Sequence, residues 1–182
     1  MTGIRMLAAV AAAGLFFMAL PAAAQSFSDA DRARVEARIA QLDAVVSSGD
    51  LAGAMEVVPP RLFRTIAERG GATEAQLLSA MREMIRTQLA GVTVVSYDMD
   101  LAASPPQLTP DGKQTYLLIP TVLVLDIPGA GKIQVTTRTL ALADGGDWYL
   151  IRVEEAQQVG LLRELWPSFA DVEFVPGETV AL

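Results

Sequence analysis

The chain alternates between two kinds of hydrophobic pattern, with the change near Val92. An uninterrupted apolar run comes first, from Leu7 to Leu20. Next, Val35, Ile39, Leu42 and Val46 recur at helical spacing, which predicts a helix over about 29–46. Ser28 with Asp31 three residues on is a capping-box start, and Gly49 is the stop. Leu51, Ala54, Met55 and Val58 predict a short second helix over 50–57, ended by Pro59-Pro60. Pro60 is suited to open the next helical piece, which turns Leu62, Phe63 and Ile66 inward before Gly70-Gly71. Thr73-Glu74-Ala75-Gln76 is another capping box, and Leu78, Met81, Ile85 and Leu89 make one face of a third helix closed by Gly91.

After Val92 the pattern is that of strands. Residues 92–101 and 115–127 are β-branched and apolar, and 132–143 and 148–154 return as partners. Pro105, Pro106, Pro110 and Gly112 make 102–113 a loop. Pro120 inside the second strand predicts a bulge or an edge. Pro128-Gly129-Ala130-Gly131 and Asp144-Gly145-Gly146-Asp147 are tight connections, so successive strands form an antiparallel meander. A short helix over 157–165 ends before Pro167, residues 172–175 read as a short strand, and the tail after Pro176 reads as loose. The expected architecture is α+β: N-terminal helices packed against a curved antiparallel sheet of four to five strands.

Composition adds an address. Arg5, the apolar run, Pro21 and Ala22-Ala23-Ala24 have the layout of an export signal, and the run falls short of the ~20 residues that span a bilayer. Residues 1–24 are therefore expected to be cleaved, leaving 25–182 as one domain in the periplasm or secreted, with no membrane span. The chain carries 14 Lys and Arg against 21 Asp and Glu, a net charge of −7. An acidic surface disfavours nucleic acid, whose affinity comes from basic contacts. Cysteine and histidine are both absent. No disulfide, thiolate nucleophile or His-based catalytic pair can form, and the usual zinc ligands are missing. No metal-ligand cluster and no cofactor motif is visible. Gly129-Ala130-Gly131-Lys132 lacks the spacing of a phosphate loop and joins two strands.

The segment Asp144-Gly145-Gly146-Asp147-Trp148-Tyr149-Leu150-Ile151-Arg152-Val153 resembles the late hairpin of NTF2-like proteins, the SnoaL-like and ketosteroid-isomerase-like superfamily. The resemblance, over about residues 29–155, implies an α+β cone with the sheet curled round the third helix. Its fold hosts isomerases, dehydratases, carriers and non-catalytic partners, so it leaves function open.

Several side chains are candidates within that frame. Strand parity puts Asp98 and Asp100 on one face with Ser96, and Tyr97 on the other with Val95. A buried Asp98 or Asp100 would be a base, with Tyr97 or Tyr116 as proton donor; the plainer alternative is two acids on a solvent face. Arg138 suits a ligand carboxylate or a cross-strand pair with Asp98, Asp100 or Glu154. Trp148, Tyr149 and Tyr116 suit a pocket lining or a half-buried core. Trp166 is an exposed binding knob or the anchor of the tail. The favoured expectation is non-catalytic: binding of a small apolar ligand, or an interaction module for an envelope protein, with homodimerisation through the outer sheet face. The alternative is a cofactor-free isomerase, dehydratase or hydrolase that uses a strand carboxylate.

Overall fold

The computed structural model describes residues 27–182. The expected cleavage site and the apolar run before it lie outside the described residues. Helix α1 spans Asp29–Ser48, and a 3-10 segment follows at Leu51–Val57. Helices α2 (Pro60–Arg69) and α3 (Glu74–Gln88) come next. The strands are β1 (Thr93–Met99), β2 (Gln107–Leu108), β3 (Thr115–Ile127), β4 (Gly131–Asp144) and β5 (Asp147–Arg152). Helix α4 (Ala156–Leu165), a 3-10 turn at Pro167–Phe169 and strand β6 (Glu178–Ala181) complete the chain.

Local chemistry sets these bounds. Ser28 Oγ accepts from the Asp31 amide while the Asp31 carboxylate accepts from the Ser28 amide, so two free donors at the start of α1 are satisfied reciprocally. Thr73 and Gln76 do the same for α3. Gly145 and Gly146 both have positive φ, 62° and 90°, which a two-residue hairpin turn requires where Asp144 pairs with Asp147.

All pairings in the sheet are antiparallel. Its order is β1-β3-β4-β5, with β2 also on β3 and β6 also on β4. β3 and β4 form one long hairpin from Tyr116↔Leu142 to Ile127↔Gly131. The free edge of each is shared. β1 pairs with β3 from Thr121 onward and β2 pairs at Thr115 and Tyr116. Pro120 falls in the gap between them. Its carbonyl accepts from the Asp100 amide at 3.0 Å, so its missing N–H faces the same unladdered edge and costs no strand bond. The bulge lies elsewhere, at Val95, where the register with β3 shifts between Val94 and Ser96.

The sheet curls into a half-barrel with the helices packed against it. Its inner face meets α1 and the 3-10 segment through Val35, Val57, Leu117, Ile119, Ala141, Trp148 and Leu150. The helix held by the sheet is α1, which contacts β5 and β1; α3 packs instead on α2 and the 3-10 segment. The third helix buries none of its residues fully and leaves Met84 half exposed. Its apolar stripe is spent on a small satellite core with Ala52, Met55 and Phe63 rather than on the sheet.

A second core lies on the outer face at the end of the sheet near the β4–β5 turn. There Tyr116, Leu140, Leu142, Ile151 and Val153 pack under Leu162, Trp166, Phe169 and Val172. Trp166 is only 5% exposed, so it anchors the tail. The tail itself departs from expectation. Residues 172–175 form no strand, and Glu178–Ala181, expected to be loose, pair with β4 at Ile133–Thr136. β5 does not reach that stretch of β4, and the tail supplies the backbone partners it lacks.

Candidate functional site

Two concavities stand out among the described residues. The larger is an open cleft of about 1030 Å³ at the β4–β5 turn, bordered by Phe27, Trp148, Trp166 and several charged groups. Its cations are already tied to acids: Arg34 to Asp31 at 3.5 Å, Arg61 to Asp144 at 3.6 Å and Lys113 to Asp111 at 3.4 Å. Its indoles are also engaged. Trp148 Nε1 donates to Asp31 at 3.0 Å and Trp166 Nε1 donates to Asp144 at 3.2 Å. The Ser28 hydroxyl, then the Trp148 indole, hold the Asp31 carboxyl down at about 2.

The smaller concavity is a cavity of about 220 Å³ between the inner face of the sheet and the helices. Leu42 of α1 and Ala54, Val57 and Val58 of the 3-10 region form its roof. Its floor comes from alternate residues of neighbouring strands: Tyr97, Thr121 and Leu123, then Val135, Thr137 and Thr139, then Leu150 and Arg152. It is smaller than the ~300–1,000 Å³ usual for drug-sized ligands, and it has their usual character, an apolar wall with a few convergent polar groups.

Those polar groups are unevenly satisfied. Thr121 Oγ1 donates to the Ile119 carbonyl at 3.0 Å and lies 2.8 Å from Thr139 Oγ1. Thr137 Oγ1 is buried without a hydrogen bond, as is Oε1 of the neighbouring Glu154. Burial raises the Glu154 carboxyl, but Arg152 and the Thr137 hydroxyl outweigh it and hold the group below its ordinary value. The hydroxyl therefore lies near enough to act on the carboxylate, yet the pair misses good hydrogen-bond geometry. Arg152 meets Glu154 Oε2 at 2.6 Å. Burial, reinforced by the nearby Asp43 charge, pushes the Tyr97 hydroxyl well above the usual phenol range, so it stays protonated as a donor.

The residues singled out from sequence are scattered. Tyr97 lines the cavity, while Asp98 and Asp100 are exposed, as parity required. Val95 does not accompany Tyr97: the bulge turns it outward to 49% exposure. Asp100 caps the loop after β1, accepting from the Ala103 amide at 2.9 Å. Tyr116 belongs to the outer core, where its hydroxyl donates to Gln107 at 3.0 Å and burial raises it. The proposed base–donor pairs are not brought together, and no carboxylate lines the cavity among the described residues. Arg138 stands on the exposed face of β4 opposite Pro120. Trp148 and Tyr149 point to opposite faces, and Tyr149 lies under the Arg38 guanidinium, 5.0 Å from its ring centre.

Thr121, Thr137, Thr139 and Arg152 escaped the sequence reading. Thr137 and Thr139 have a parity signal, since they alternate with Thr136 and Arg138 on a strand whose inner face is otherwise apolar. Among the described residues no group of three or more acidic side chains is placed to hold a metal ion, and no helix is long and apolar enough to cross a membrane. No protein-family model, curated protein or solved structure matches this chain.

Proposed function

We propose that this protein binds a small, largely apolar ligand without transforming it, in the cavity between α1, the 3-10 segment and the sheet. The observation that carries the reading is the cavity itself, walled mainly by aliphatic side chains with Tyr97, three threonines and Arg152 among them. The absence of a carboxylate in the lining weighs against the isomerase-like alternative, which needs a base there. A sheet curled over a helix supports kinship with NTF2-like proteins. The signal-like N-terminus supports a role in the periplasm or outside the cell.

The test is native mass spectrometry of protein exported through its own N-terminus and purified gently. A bound small molecule is expected in the wild type and is expected to be missing from Ala54→Phe, whose ring fills the cavity. An adduct held equally by both proteins, or none retained after incubation with a metabolite extract, overturns the reading. The denatured mass of the same sample tests cleavage after Ala24, and an uncleaved chain removes the export assignment.

A further inference from the structure

The strand edges of the sheet are not equally protected. An edge offers a row of free N–H and C=O groups, and proteins blunt it with a bulge, charges, a proline or a covering element. β1 is bulged at Val95. β2 is two residues long. β5 is covered by α1, whose Arg38 takes the Trp148 carbonyl at 2.8 Å. β6 has none of these covers among the described residues. Its four residues are all exposed, and Glu178 is the one charge among them. Val180 and the following Leu182 are 46% and 69% exposed.

The register on β4 fixes which groups of β6 are free. Val180 lies opposite Gln134, and the Leu182 amide donates to the Lys132 carbonyl at 3.0 Å. Antiparallel bonding alternates along a strand, so Val180 and Leu182 bond to β4, while Thr179 and Ala181 turn their N–H and C=O groups away from it. That outward row is symmetric about Val180. A second copy laid antiparallel against it pairs Thr179 with the partner subunit's Ala181, and Ala181 with the partner subunit's Thr179. Every outward group of these residues is then bonded. Val180 meets the partner subunit's Val180 at the non-hydrogen-bonded position, where side chains come closest. Glu178 falls opposite the partner subunit's Leu182. The two Glu178 positions lie ~13 Å apart along the strands, beyond the screening length of ~8 Å, so no like charges oppose each other. We infer that the free edge of β6 binds a second copy of this chain, β6 against β6 about Val180, joining two sheets into one. So short a pairing belongs with the small, transient interfaces that bury less than ~1,200 Å².

The experiment is amide hydrogen exchange of the exported protein, read by NMR at about 50 μM and about 1 mM. On concentration, exchange at Thr179 and Ala181 is expected to slow at least ~3-fold, while Val180 and Leu182, already bonded to β4, change little. Val180→Lys sets like charges directly opposite each other, and is expected to abolish the concentration dependence while the amides of residues 180 and 182 stay protected. Thr179→Pro removes an outward donor at no cost to the β4 ladder, and is expected to give the same result with the Val180 side chain intact. Fast exchange at Thr179 and Ala181 that ignores concentration in the wild type overturns the inference. A dependence that survives both substitutions places the contact elsewhere and also overturns it. Protection that appears only when a soluble cell extract is added, at fixed protein concentration, gives the edge to a different chain and overturns the self-pairing.

Discussion

The Trp148 indole donates to the Asp31 carboxylate at 3.0 Å, joining the first turn of α1 to the start of β5 across 117 residues of sequence. The same carboxylate caps α1 through Ser28. One acid thus closes a helix end and fixes the helix on the sheet. Phe27 adds an edge-to-face contact to the Trp148 ring, with centroids 5.3 Å apart.

Asp31→Asn is therefore expected to lower stability by about 1–2 kcal/mol at pH 7, a value reduced for the partial exposure of the site. The Asp31 carboxyl sits at about 2 in the folded protein against 3.8 for the free group. Its contribution is complete above about pH 4 and is lost as pH falls toward 2, where the deprotonated form no longer dominates. Urea melts of wild type and variant across this range should converge at the acid end. A constant gap would show that the carboxylate's charge is not what matters.

Arg38 is a second tie between the same elements. Its Nε donates to the Trp148 carbonyl at 2.8 Å and its guanidinium meets Asp147 at 2.7 Å. Arg38→Met keeps the stem and removes both. A loss of about 1–2 kcal/mol is expected, because the carbonyl loses its side-chain donor and the turn acid its ion pair. Lys in its place should recover less than half, since it lacks the planar fork.

Gly177 passes close to β4 and Glu154. A Cβ there would lie 2.9 Å from Glu154 Oε1, which would have to swing away, and 3.0 Å from the Thr136 carbonyl, tighter than nearly all such contacts. Gly177→Ala is expected to lift β6 away while the rest stays folded. The readout is amide exchange at Val180 and Leu182, whose N–H groups face β4; it should accelerate at least ~10-fold with protection in β3 unchanged. Unaltered exchange would mean that the strand accommodates the methyl.

Asp98 and Asp100 separate cleanly. Asp98→Asn alters an exposed side chain and should change stability by no more than ~0.5 kcal/mol. Asp100→Ala removes the cap on Ala103 and should cost about 1 kcal/mol. Neither is expected to alter ligand retention in the cavity. Chemical denaturation with native mass spectrometry checks both claims.

How much of this was legible depends on where the signal resides. Capping pairs, Gly stops and the Gly-Gly turn are local, and they placed α1, α3 and the β4–β5 hairpin within two residues. β6 was invisible because all four of its side chains are exposed and its pairing is carried by the backbone, which has no residue signature. The order of helix packing was also hidden. The third helix has the clearer amphipathic stripe, yet α1 occupies the sheet through Val35, Ile39 and Leu42. The cavity was half legible. Parity on β1 separated Tyr97 from its acidic neighbours, but it misplaced Val95, because one inserted residue at the bulge breaks the period of two.

The outer core under α4 covers only the part of the sheet near the β4–β5 turn. At the other end, Val122, Val124, Gln134 and Thr136 face outward, outside the core that α4 covers among the described residues. The sheet is thus clamped on both faces at one end and on one face at the other, where β6 hangs by main-chain bonds. Opening free energy falls with the number of apolar contacts broken. Thermal fluctuations should then concentrate at the β3–β4 tip and fade toward Leu142. The cavity borders the compliant half, so its walls follow the breathing of the hairpin while the doubly covered half holds the fold.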